Sequence, residues 1–326
     1  MGAPFYQGRF HNEAASERAR GRRVWRWLLT RRPAPWPQIH TEPGPPPPHE
    51  IKGGALRATM VNHATMLVQT EGVNVLTDPI WSERCSPVSF AGPRRHRPPG
   101  LRFEDLPPIH LVLLSHNHYD HLDLPTLRRL AAAHAPAIVT SLGNGPLLER
   151  AGLRHVHELD WWDSVPVPGQ RSLTVTATPA HHFSGRTLRD RNRTLWCGLT
   201  LHGPSGSIFF AGDTGYAKHF TEIRERLGPP RLALLPIGAY EPQWFMRRVH
   251  LHPEDAVRAH VELGAGTSLG IHYGTFRLTD EGMDEPLNAL ALALAKAGIS
   301  ERVFLTPPHG VGLEIPQFPR ARRTGT

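Results

Sequence analysis

A chain of 326 residues, 39% hydrophobic and 20% charged, has the composition of a globular protein and the length of one large domain or two ordinary ones. No run approaches the roughly 18 apolar residues of a membrane span. The only cysteines, Cys85 and Cys197, lie far apart, which excludes a disulfide framework and makes a reducing cytoplasm the expected setting. A net charge of +8 suits an anionic partner, while 21 histidines mean that no single one marks a site by itself.

The first segment, residues 1–32, is basic and lacks the apolar core of a secretory signal. Within it "RRVWRWLLTRR" sets Trp25 and Trp27 among arginines. That pattern fits a segment lying at the inner face of a membrane, or a short helix docking its tryptophans on the main domain. Residues 33–50 are dominated by proline, which enforces extended backbone and reads as a strap. Residues 51–326 are expected to form the catalytic domain.

There the pattern turns to short β-branched or aromatic runs bounded by Gly, Pro, Asn or Asp: "LRATMV", "TMLVQT", "NVLTD", "HLVLLS", "AIVTS", "LTVTATP", "WCGLTLHG", "SIFFAGD", "LALLPIG", "LGIHYG" and "VFLTP". Helical periodicity covers 124–135, 221–228, 252–264 and 283–298. Many strands with helices between them predict an α/β protein of two sheets with helices outside.

The densest chemistry is "SHNHYDHLD", at 115–123. It joins a predicted buried strand to a predicted helix, so His116-x-His118-x-Asp120-His121 occupies a loop at a strand end. His116 and His118, two apart in extended backbone, point to the same side and suit one metal ion. Asp120 and His121 lie past the turn and reach toward a second. Imidazole with carboxylate suits zinc, and there are more donors here than one tetrahedral ion takes from one loop. Further donors follow later strands: His181 and His182 after "TVTATPA", Asp213 after "SIFFAG", and His272 in "LGIHYG". Gly212 lets the backbone approach closely beside Asp213, a residue suited to bridge two ions about 3.5 to 4 Å apart with a hydroxide held between them.

The order Asp78 (in "LTDP"), His116-x-His118-x-Asp120-His121, His182, Asp213, His272 resembles the five-motif signature of the metallo-β-lactamase fold. More specifically, "HAT" (63–65), "LTDPI", "SHNHYDHLD", "ELDWW", "FFAGDTGY", "PIGAYEPQWFM", "HPEDAVRAH" and "IHYGTF" resemble the N-acyl-phosphatidylethanolamine-hydrolysing phospholipase D family, including its bacterial members. The resemblance spans roughly residues 60–280. It implies an αβ/βα sandwich of two mixed β-sheets with helices on the outer faces and metals at one edge. It also implies two zinc ions, one held by His116, His118 and His182 and the other by Asp120, His121 and His272, with Asp213 bridging and Asp78 orienting a ligand. Tyr119 and His250 match positions that contact the lipid substrate.

The function so implied is a zinc-dependent phosphodiesterase that hydrolyses N-acyl-phosphatidylethanolamine to phosphatidic acid and N-acylethanolamine. Asp213 and Asp120 belong to its catalytic centre. A lactonase or small phosphodiester or ester hydrolase using the same site is the alternative, because specificity belongs to the pocket walls. Expected partners are the phospholipid substrate and a peripheral membrane surface, and a homodimer is compatible. Nucleic acid is not expected, for no basic stripe interleaved with aromatics runs through the catalytic region. An iron-dependent oxygen-reducing relative would carry glutamate where His118 stands.

Overall fold

The computed structural model describes residues 2–13, 26, 27 and 29–318. A small hairpin, β1 (Phe5–Tyr6) and β2 (Arg9–Phe10), precedes the main fold. The first sheet is then laid down by β3 (Leu56–Asn62), β4 (Thr65–Thr70), β5 (Val73–Thr77), β6 (Leu111–Leu114), β7 (Ala137–Ser141) and β8 (Val156–Leu159). The second follows with β9 (Ser164–Val167), β10 (Gln170–Thr178), β11 (Gly198–His202), β12 (Ile208–Phe210), β13 (Leu232–Pro236), β14 (Thr267–Ile271) and β15 (Phe304–Leu305). Finally β16 (Gly312–Glu314) returns to the first sheet. The sheet orders are β16-β3-β4-β5-β6-β7-β8 and β15-β14-β13-β12-β11-β10-β9.

Alternation along the strands explains the layering. In β6, Leu111 and Leu113 join the core shared with Val175, Leu199, Phe210 and Leu234 of the second sheet. Their neighbours Val112 and Leu114 face the other way, toward Leu127 and Leu130 of α1 (Leu124–His134) and Leu148 of α2 (Gly145–Arg150). The helices α3 (His219–Leu227), α5 (Pro253–Leu263) and α6 (Glu285–Ala297) put Ile223, Val257, Leu263, Leu290 and Leu294 into the large core, and the single-turn α4 (Gln243–Met246) lies between α3 and α5. Gly264 and Gly298 end α5 and α6 in left-handed backbone, as their sequence positions predict. The four predicted helices are present. The elements that periodicity missed are short: β1, β2, β8 ("VHEL"), β9 ("SVPV", a proline-bearing edge strand), β16, α2 and α4.

The described residues ahead of residue 51 make contacts with this fold. Phe10 is buried in the large core, and its N–H donates to Asn192 O. Along the proline-rich strap, Ile39 N–H donates to His96 O and Gly44 N–H to Gly100 O, while Gln69 Nε2 donates to Pro48 O. Trp27 stacks on Phe245 with ring centroids 5.4 Å apart, so the docking alternative describes this tryptophan. Trp25 lies outside the described residues. No helix among the described residues is long and apolar enough to cross a membrane. Cys85 and Cys197 are buried and free, and burial pushes both thiols up.

Candidate metal centre

Strand direction brings the site together. In the first sheet β3 and β5 both run antiparallel to β4, and β5 and β6 are parallel, so β3, β5 and β6 point the same way. In the second sheet β10 and β12 both run antiparallel to β11, and β12, β13 and β14 are parallel. The residues just past the C-terminal ends of these strands are His63, Asp78, the 115–121 loop, His182, Asp213 and His272, and they meet at one edge of the sandwich. Three of them, His63, Asp78 and His272, have positive φ (43°, 31° and 63°). Such backbone is costly for a side-chain-bearing residue and persists where the surroundings over-determine it. Gly212 is also left-handed, and a Cβ there would lie 2.6 Å from Ser115 Cβ, which is the close approach its sequence position implied.

The donors fall into two groups. In one, His118 Nδ1 lies 2.8 Å from His116 Nε2 and 3.2 Å from His182 Nε2. In the other, Asp120 Oδ2 lies 3.3 Å from the Nε2 of both His121 and His272 and 3.0 Å from His63 Nε2. Asp213 stands between them. Its Oδ2 is 3.2 Å from His121 Nε2 and 3.6 Å from His182 Nε2, and its Oδ1 is 3.2 Å from His272 Nε2.

The outward ring nitrogens of His116, His121 and His182 are committed, which fixes the tautomers of these three. His121 Nδ1–H donates to Asp78 Oδ2 (2.6 Å), and His182 Nδ1–H donates to Val249 O (2.8 Å). Ser115 donates both its N–H (2.7 Å) and its Oγ–H (2.5 Å) to Asp78, so its hydroxyl oxygen accepts from His116 Nδ1–H at 2.9 Å. The Nε2 lone pairs of His116, His121 and His182 are thereby turned into the site.

Electrostatics match a cation site. Burial, reinforced by neighbouring imidazoles, holds His116 and His182 well below the ordinary histidine range. It lowers His118 and His250 to about 4 and His63 to about 3, so all five are neutral, as ligation requires. Burial works against charge at Asp120 and Asp213, yet His121 and His272 together with their hydrogen bonds outweigh it and hold both carboxyls well below their usual range. The same carboxylates overcome burial to raise His121 well above its ordinary value and His272 to about 9. The buried Nε2 atoms of His121 and His272 and Oδ1 of Asp213 make no aligned hydrogen bond, although the two nitrogens each lie within 3.3 Å of carboxylate oxygens of Asp120 and Asp213. Atoms that crowd together without pairing, all of them nitrogen or carboxylate donors, fit divalent metal.

The structure thus gathers His116, His118, Asp120, His121, His182, Asp213 and His272 in one place. His250 adjoins them, with Nδ1 3.9 Å from Asp213 Oδ2. Of the two neighbouring histidines, His182 faces the site, whereas His181 faces a small pocket with His219 and Lys218. Tyr119 is not brought to the cavity wall: Arg186 stacks over its ring at 3.8 Å and takes up its hydroxyl at the Arg186 carbonyl. No sequence pattern assigns a role to His63, Ser115 or Val249. His63 is within reach of sequence reasoning, because a histidine in the turn after β3 shares an edge with Asp78 once β3, β4 and β5 are paired in order.

A cavity of about 860 Å³ opens onto this centre. His118, Asp120, His182, Asp213 and His250 lie in its wall, with Trp27, Phe183, Leu188, Phe245, Met246 and Leu278 supplying apolar surface and Arg9 and Arg191 positive charge.

Residues 73–273 match the family model described as the β-lactamase superfamily domain. The chain is 40% identical over 266 residues to the N-acyl-phosphatidylethanolamine-hydrolyzing phospholipase D 1 of Caenorhabditis elegans, an alignment that covers 78% of this chain and 74% of that protein. It is 42% identical over 253 residues to an uncharacterized protein of Mycobacterium tuberculosis, covering 76% of this chain but 66% of that relative, just under two thirds of its length. A solved metallo hydrolase of Ignicoccus hospitalis superposes with a TM-score of 0.60 at 20% identity, over 80% of this chain and 99% of that one, and shows the same fold. The chain therefore belongs to the β-lactamase superfamily, with the metallo-β-lactamase fold and with N-acyl-phosphatidylethanolamine-hydrolysing phospholipases D among its homologues.

Proposed function

We propose that this protein is a phosphodiesterase acting on an N-acylated phospholipid, N-acyl-phosphatidylethanolamine, with two zinc ions as its cofactor. The observation that carries the reading is the single cavity in which both donor groups, an apolar wall and the guanidinium groups of Arg9 and Arg191 occur together. An N-acyl phosphodiester has the matching chemistry: one anionic phosphorus centre flanked by long acyl chains.

His116, His118 and His182 would hold one ion, Asp120, His121 and His272 the other, and Asp213 would touch both. Ions bound there would polarise a phosphoryl oxygen and lower the pKa of water. Around them the protein's own groups orient and neutralise. Asp120 and Asp213 keep their negative charge in a buried place, and His250 offers a neutral imidazole with an uncommitted Nδ1 toward the reacting region. Arg191 lies 4.4 Å over the Phe183 ring, which in turn packs on His118, so positive charge stands beside the phosphodiester without displacing a donor. Water adds across the P–O bond to the amide-bearing alcohol, giving phosphatidic acid and N-acylethanolamine.

Exposed Trp244 packs beside Phe245 with ring centroids 5.6 Å apart, exposed Leu188 lines the same cavity as Trp27, and Arg26 covers the Trp244 ring at 4.9 Å. Aromatic and cationic groups at the mouth of an apolar cavity suit a lipid surface, from which the substrate would enter.

The deciding experiment is metal content measured together with turnover of a fluorogenic N-acyl-phosphatidylethanolamine, with and without chelator. About two zinc ions per chain with chelator-sensitive release is the expected result. Two ions without lipid turnover would move the substrate to lactones or small phosphodiesters and retire the phospholipase reading.

A further inference from the structure

His182 is held from outside the family match by Asn12. Regular pairing of β10 ends at Thr178, so the backbone at residue 182 has no neighbouring strand. Instead Asn12 Nδ2–H donates to His182 O (3.0 Å), and Asn12 Oδ1 accepts from His182 N–H (3.2 Å). One side-chain amide thus meets both polar groups of the residue, as a strand edge would. Its orientation is determined, because Oδ1 also accepts from the buried Trp196 Nε1–H (3.1 Å), and a flipped amide would set donors against two donors.

Asn12 is itself anchored. Phe10 is buried in the large core and exchanges hydrogen bonds with Asn192 (Phe10 N–H to Asn192 O at 2.8 Å, Asn192 Nδ2–H to Phe10 O at 3.2 Å), and Ala3 N–H donates to Asp160 Oδ1 at 2.9 Å. The adjoining residue is tied elsewhere: His181 N–H donates to Thr214 Oγ1 and His181 O accepts from Gly215 N–H, both at 2.8 Å. Consecutive peptides are therefore fastened to the Asp213 loop and to the N-terminal segment. With the ring pinned by Val249 O, Asn12 completes the set of contacts that aims His182 Nε2.

We infer that Asn12 is a positioning residue for the His182 ligand, acting in place of a missing strand edge, so that residues 2–13 are a working part of the metal centre. The inference rests on His182 binding metal and is independent of the substrate.

The test loads the full-length protein with cobalt(II) and follows affinity, by competition with a chromophoric chelator, and the visible absorption of the bound ion. Wild type is compared with Asn12→Ala, Asn12→Asp and His182→Ala. Asn12→Ala should bind one of the two ions about 10- to 100-fold more weakly and change its absorption, the effect typical of losing a group that orients a ligand. Asn12→Asp keeps the acceptor but sets a carboxylate against His182 O. It should also change the spectrum, and it decides the matter if the alanine variant does not fold. Wild-type affinity and spectrum in a folded Asn12 variant, even with a lowered melting temperature, would make Asn12 merely structural and overturn the inference. His182→Ala with both ions bound as in wild type would instead overturn the ligand assignment on which it rests.

Discussion

His121 donates its Nδ1–H to Asp78 Oδ2 across 2.6 Å, and neither side chain touches solvent. The same oxygen accepts the Ser115 hydroxyl, which in turn receives His116 Nδ1–H. One carboxylate therefore stands behind a histidine of each donor group, directly for one and through a hydroxyl for the other. Asp78→Asn keeps the shape but presents N–H groups or a weaker acceptor to those donors. Metal affinity should fall about 10- to 100-fold for both ions. Metal analysis after dialysis against graded chelator would show it, and retention equal to wild type would refute the arrangement.

Asp213 is the group within reach of both clusters. Asp213→Asn removes its charge while preserving its volume, so turnover should drop on the order of 100-fold or more. Steady-state kinetics on a short soluble phosphodiester separates this from any effect on lipid access. Near wild-type kcat would sink the two-ion reading.

Removing metal should destabilise the protein as well as silence it. A ligand that binds only the folded state stabilises by RT ln(1 + [L]/Kd), about 4 kcal/mol at a thousandfold excess over Kd. Calorimetry of the chelated protein should show a melting temperature several degrees lower, restored on adding zinc. Superimposable traces would mean that the clusters hold no ion under those conditions.

His219 offers a pH test away from the proposed ligands. Burial lowers it from 6.5 to about 3, and its Nε2 lies 3.3 Å from Thr214 Oγ1. Because the folded value is below the unfolded one, the associated stability is complete above about pH 6.5 and is lost as pH falls toward 3. In His219→Gln the unfolding free energy should lose up to about 1.4 kcal/mol per pH unit less than in wild type over that window. Urea titrations of chelated protein at several pH values would detect the difference, and parallel curves would argue against a neutral buried His219.

Trp244 probes the proposed lipid surface. Trp244→Ala removes an exposed ring beside the cavity mouth without touching the donor groups. Binding to anionic vesicles should weaken about tenfold, as expected for the loss of one interfacial aromatic, while hydrolysis of a soluble diester stays unchanged. Unaltered vesicle sedimentation would place the membrane contact elsewhere.

Much of the centre was legible because its donors travel in compact or strand-terminal units. His116-x-His118-x-Asp120-His121 is dense enough to notice, and Asp213 and His272 each follow an unmistakable apolar run. What sequence could not supply was pairing order. His63 becomes informative only when β3, β4 and β5 are known to be neighbours, since that settles at which edge its turn lies. Ser115 carries a small hydroxyl with no pattern of its own. Asn12 lies in a segment whose sequence signal is its charge, whereas its contact is one amide meeting one backbone residue 170 positions away.

Each donor group draws on both sheets: His116 and His118 from the first meet His182 from the second, and Asp120 and His121 meet His272. A bound ion at either place would rivet the two layers together across their shared edge. Loading and layer packing then become reciprocal, so that whatever loosens the interior between the sheets also loosens the ions. A substitution such as Leu113→Ala, deep in that interior, should thus be felt in metal affinity by a protein whose donors are all intact.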